Sequence, residues 1–164
     1  MGFIFLILMK MADIVRAAGI LIYRQKAGRN EYLLLQASYP PHHWTPPKGH
    51  VDCGEDEWSA AVRETYEEAG ITADHLDVHK NFVHTLKYVV KKSDRYGTEV
   101  NKQKTVKYWL ARLKNGNEVK LSDEHQNVKW LPVEEAVNLS QYEEMGKLIR
   151  TAEEYLTKVE NSAA

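Results

Sequence analysis

The stretch from Gly49 to Ile71, GHVDCGEDEWSAAVRETYEEAGI, constrains the fold of this chain more than any other. Asp56 and Glu57 stand where a helix macrodipole favours anions, and Gly70 stands where a C-terminal cap belongs, which predicts a helix from Asp56 to Ala69. Trp58, Val62, Thr65 and Ala69 recur at helical spacing and form the stripe expected to face a core. At about 100° per residue, Glu64, Glu67 and Glu68 share the face opposite that stripe. Like charges so spaced destabilise an isolated helix. Two readings follow. One is a solvated acidic face; the other is a set of hard oxygen ligands for a divalent cation such as Mg²⁺ or Mn²⁺.

The flanking segments indicate the kind of domain that holds this helix. Ile14 to Tyr23 and Glu31 to Ser38 are β-prone runs joined across a turn-rich connection. The proline-rich YPPHHWTPPKGH that follows is stiff and irregular, with Trp44 expected to pack beneath it. Leu76 to Val90 and Lys104 to Leu113 read as strands, linked by a polar stretch, Lys91 to Gln103, long enough to be mobile. An Asn-Gly turn signal follows at Asn115-Gly116, then a short strand from Val128 to Pro132. Helices are expected over Val133 to Leu139 and from Gln141 to about Glu160, the latter with Tyr142, Met145, Leu148, Ile149 and Leu156 at helical spacing. With 164 residues, 43% of them hydrophobic, the chain fits one α/β domain over residues 13–160.

The apolar run GFIFLILM near the N-terminus is shorter than the ~20 residues that span a bilayer. No basic residue precedes it as a secretory signal requires. Residues 1–12 are therefore expected to be an extension outside the fold, with no membrane partner. The single Cys53 excludes an intramolecular disulfide and suits a reducing compartment, the cytoplasm with nuclear access open. A formal net charge of -1 advertises no nucleic-acid partner. From Lys87 to Arg112, however, eight basic residues face only Asp94 and Glu99. That excess suits an anionic ligand or a solvated hairpin surface equally.

The spacing of Gly49, Glu55, Arg63-Glu64, Glu67-Glu68 and Gly70-Ile71 resembles the Nudix box of nucleoside diphosphate-linked hydrolases at each fixed polar and glycine position. Thr65 stands where the pattern has a hydrophobic residue. The resemblance implies an α/β/α sandwich around a mixed β-sheet. It assigns Glu64, Glu67 and Glu68 to divalent metal, and Arg63 to orienting one of them, with Glu67 at i+4 the natural partner. Glu55 becomes a supporting carboxylate, and Gly49 a point of close backbone approach whose main chain adds a metal ligand.

The segments QASYPPHHWTPPKGHVDCGED, KTVKYWLARL, LSDEHQNVKW and YEEMGKLI resemble the branch of that family that cleaves dinucleoside tetraphosphates asymmetrically. The likeness implies a small-molecule substrate of the diadenosine tetraphosphate type, split into ATP and AMP, by a monomer with no stable nucleic-acid partner. Metals on the glutamate face, with Lys48 and Lys104 at the sides, would meet the polyphosphate charge. Glu124 matches the out-of-box carboxylate and competes with Glu64 for the role of base, beside Glu68. His43, Tyr88 and Tyr142 match positions around the nucleotide, although core packing of the last helix also accounts for Tyr142. Another nucleotide anhydride, such as a capped RNA end, and a non-catalytic binding module are the rival readings.

Overall fold

The computed structural model describes residues 14–93, 96–114 and 118–163. The N-terminal extension and the Asn115-Gly116 turn lie outside them. Strand β1, Ile14–Lys26, organises the sheet. Its side chains alternate, with Ala17, Leu21 and Tyr23 in one core cluster and Ala18, Ile20 and Ile22 in the other. Residues 17–23 are buried throughout, as in a central strand covered on both faces. A two-residue turn at Ala27 (φ 52°) and Gly28 (φ 75°), both left-handed as a tight hairpin requires, leads into β2, Arg29–Ala37.

Two short strands follow, β3 (Trp44–Thr45) and β4 (Lys48–His50), then helix α1 (Glu57–Ala69) and a 3₁₀ turn, Ala73–His75. Strands β5 (Leu76–Ser93), β6 (Glu99–Leu113) and β7 (His125–Leu131) precede helices α2 (Val133–Ser140) and α3 (Glu143–Ala163). The sheet order is β3-β2-β1-β6-β5, with β4 paired to β1 and β7 to β2. Among the described strands only β1 and β6 run parallel, so the sheet is mixed. Helix α1 packs with Ile20, Leu33 and Leu35 on one face. The other face carries Leu148, Ile149 and Leu156 of α3 and Ala136 of α2. This is the α/β/α sandwich expected from the box. No helix among the described residues is long and apolar enough to cross a membrane.

Three expectations need correction. The polar segment 91–103 is mostly strand, because β5 and β6 stay paired out to Ser93↔Glu99. The exposed Lys91, Asn101 and Gln103 lie on a two-stranded ribbon that continues past the core, with Val89 and Val90 supplying β propensity. The last helix begins at Glu143, because Gln141 is left-handed (φ 61°) and separates it from α2. The buried arc of α1 is centred on Ala60, Ala61, Thr65, Glu68 and Ala69, with Trp58 and Val62 half-buried at its rim. Alanines let the helix lie close to β1 and β4, which turns Glu68 inward. The three glutamates therefore do not share one solvent face: Glu68 is 7% exposed, whereas the Glu67 side chain is 53% exposed.

Candidate active site

Helix α1 is fixed at both ends. The Asp56 carboxylate accepts from the Ser59 N–H at 2.7 Å, and the N–H of left-handed Gly70 (φ 68°) returns to Tyr66 O. Held in this register, its acidic edge meets β4. Gly49 explains how closely: a Cβ there would stand 2.1 Å from Glu64 Cδ, so the carboxylate occupies the space a side chain would take. One residue earlier, the Lys48 N–H donates to Glu68 Oε2 at 3.1 Å. Burial nevertheless pushes the Glu68 carboxyl up to about 8, against the pull of the Lys48 N–H and charge. Burial raises Glu64 too, opposed by Arg63 and reinforced by Glu67 and Glu124.

Arg63 is the hub of the loop and helix. Its Nε and Nη2 grip Glu55 at 2.8 and 3.0 Å, its Nη1 reaches Glu64 at 2.9 Å and Glu67 at 3.1 Å, and Nη2 also donates to His50 O at 3.0 Å. Asp52 lies 3.3 Å from Nη2. The i+4 partner expected of Arg63 is thus one of several. Its hydrogen bonds, with the Asp52 N–H adding to them, hold Glu55 down at about 2.

Among the described residues no three His, Cys, Asp or Glu side chains close on one point as metal ligands would. Glu64 and Glu67 turn to Arg63, and Glu68 to Lys48. The chemistry still fits a hard divalent cation. The donors are carboxylate oxygens, burial makes the charged forms of Glu64 and Glu68 costly, and Gly49 brings main chain against Glu64.

Glu68 opens on a cleft of about 640 Å³, and His43, Lys48, Tyr88, Lys104 and Tyr142 all line it. Tyr88 and Lys104 are cross-strand partners on β5 and β6, with the ammonium 5.9 Å from the ring centroid. Tyr142 is 46% exposed, which excludes the core-packing reading. Its hydroxyl lies 3.0 Å from His43 Nδ1, and the two rings stand 4.8 Å apart. Trp44 is buried beneath the proline loop as expected. Glu124 is exposed on the connection before β7, where Ser38 N–H donates to its carbonyl at 2.8 Å. From there its charge reaches both Glu64 and Glu68.

Among the cleft residues that sequence reasoning missed are Tyr39 and His125. His125 precedes the strand expected from Val128, so nothing local in the sequence gave its register. In the fold it pairs opposite Ala37. The signal available was its position directly after Glu124.

The chain resembles known proteins over most of its length. A model of the NUDIX domain matches residues 13–152. The chain is 55% identical to the asymmetrical bis(5'-nucleosyl)-tetraphosphatase of Caenorhabditis elegans, over 87% of this chain and 97% of that one. It is 44% identical to the Mus musculus protein of the same name, over 87% and 95%. A solved C. elegans Ap4A hydrolase binary complex superposes with a TM-score of 0.79 at 55% identity, covering 88% of this chain and 98% of that one. With its box, its mixed sheet and these matches, the chain belongs to the Nudix family.

Proposed function

We infer that this protein hydrolyses dinucleoside polyphosphates, cutting diadenosine tetraphosphate asymmetrically into ATP and AMP. One observation carries this reading: a single cleft combines Lys48, Lys104, the rings of His43, Tyr88 and Tyr142 and the buried Glu68. Its lysines suit phosphates, its rings suit a base, and its carboxylate edge suits the reaction centre. The function of the 55% identical relative supports the same substrate class.

Glu64, Glu67, Glu68 and the Gly49 main chain would hold the cation, which we take to be Mg²⁺ with Mn²⁺ as a substitute; when bound, it would neutralise phosphate charge and acidify water. The remaining work falls to the chain itself. Lys48 and Lys104 counter the polyphosphate, and Arg63 keeps the box loop fixed to α1. Tyr142, His43 and Tyr88 hold one nucleoside by stacking, which does not read the base edge. A nucleoside held at a fixed distance from the carboxylates exposes the same phosphorus in every turnover, which makes the cut asymmetric. Water oxygen bonds to that phosphorus while the P–O bond to the departing phosphate breaks. The proton passes to a neighbouring carboxylate. Glu64, whose proton affinity burial raises, and Glu124, whose main chain is tied to Ser38, are the two candidates for that role.

The cleft has the scale of a small-molecule site, and we propose that the protein works as a cytoplasmic monomer. Incubating the enzyme with diadenosine tetraphosphate and Mg²⁺ is expected to yield ATP and AMP in equal amounts. Two ADP would refute asymmetric cleavage, and no turnover would refute the substrate class.

A further inference from the structure

His125 sits at the start of β7 with its side chain only 8% exposed, facing the cleft beside Glu68. Its surroundings fix the ring. The His125 N–H donates to Ser122 O at 3.1 Å, and Nδ1 lies 3.3 Å from Ser122 Oγ. Ser122 also donates its N–H to the Glu68 carbonyl at 3.3 Å, so one residue registers both the ring and the end of α1. The other ring nitrogen, Nε2, stands 3.8 Å from Glu68 Oε2, the same oxygen that accepts from Lys48 N–H.

We propose that His125 is a positioning residue for Glu68. With the Ser122 hydroxyl donating to Nδ1, the ring carries its hydrogen on Nε2, facing Oε2. Closing the 3.8 Å separation to a hydrogen bond takes a movement of about 0.9 Å. The terminal torsion of a glutamate is broad, and a single N–H bond leaves the carboxylate free to swing. Two donors on Oε2 remove that freedom and leave Oε1 as the oxygen for the cation, the way outer partners orient metal-ligating carboxylates. This inference rests on the hydrolase reading, and a metal titration tests it separately from turnover.

The experiment compares wild type with His125→Ala, His125→Gln and Ser122→Ala. It measures Mn²⁺ affinity by calorimetry without substrate, kcat and KM for diadenosine tetraphosphate, and Tm. His125→Ala is expected to weaken Mn²⁺ binding and lower kcat by about 10- to 100-fold. Its KM should change little and its Tm should stay near wild type. His125→Gln, which keeps an N–H donor, should restore most of both, and Ser122→Ala should lie between. Wild-type Mn²⁺ affinity in His125→Ala would overturn the proposal, as would a loss confined to KM. A glutamine variant as impaired as the alanine variant at equal Tm would overturn it too. Should His125→Ala fail to fold, Ser122→Ala decides, since wild-type metal affinity and kcat there contradict the role. If wild type itself leaves diadenosine tetraphosphate intact, the substrate reading fails while the Mn²⁺ titrations still judge His125.

Discussion

Replacing Gly49 with alanine adds one methyl group at the tightest point of the box. The new Cβ would lie 2.1 Å from Glu64 Cδ and 2.3 and 2.4 Å from its two oxygens. Ordinary contact begins near 3.4 Å, so the carboxylate must retreat by about 1.3 Å. Gly49 does not have a positive φ, so alanine brings no backbone strain. The group displaced is the free end of a side chain. Stability should therefore fall by only about 1 kcal/mol, roughly the cost of loosening the 2.9 Å bond to Arg63, or about 2–4 °C in Tm. Activity should suffer far more, because about 1 Å of misplacement costs on the order of 10²-fold in rate. Chromatographic assay of diadenosine tetraphosphate cleavage, beside thermal melting, separates the two effects. The sharper test is a double-mutant cycle. In a Glu64→Ala background the new methyl has no carboxylate to displace, so Gly49→Ala should lower the residual rate by less than about threefold. A single variant with wild-type kcat, or a full further loss in the double variant, would refute the reasoning.

Three other perturbations bear on the same structure. Glu68→Gln should cut turnover by about three orders of magnitude or more while circular dichroism stays native; unchanged turnover would remove Glu68 from the mechanism. In the cation-free protein, Glu68 contributes stability in acid that disappears toward alkaline pH. Burial raises the Glu68 carboxyl from 4.5 to about 8, so the native state holds that proton longer than the unfolded chain, and this contribution is lost as pH rises through 8. Tm of cation-free wild type should fall between pH 5 and 8 by more than that of Glu68→Gln, and equal slopes would contradict the assignment. The Thr65 hydroxyl is buried without a hydrogen-bond partner among the described residues, so Thr65→Val should stabilise by about 1 kcal/mol in thermal denaturation, whereas a lower Tm would point to a partner for it.

Much of this site was legible because the box is local. Asp56, Arg63 and Gly70 act on neighbours within one helix and its adjoining loop, where spacing translates directly into contact. His43, Lys48, Tyr88, Lys104 and Tyr142 were legible through family likeness, since no local rule brings His43 to Tyr142 across 99 positions. What the sequence hid depends on packing depth. The helical wheel marked Trp58 and Val62 as core because they are apolar, yet the sheet approaches closest where α1 carries Ala60 and Ala61, and Glu68 follows them inward. Polarity likewise hid the outer β5–β6 ribbon, which is stabilised by pairing rather than by burial. His125 stayed invisible because its position is fixed by pairing with Ala37 on a distant strand.

Hydrolysis of diadenosine tetraphosphate in ¹⁸O-labelled water tests most directly whether solvent, positioned by the α1 carboxylates, attacks one fixed phosphorus. Mass spectrometry of the products should find a single ¹⁸O in only one of the two, ATP or AMP, at every turnover. Label divided between both products, or appearing in ADP, would contradict a nucleoside clamp that sets one point of attack.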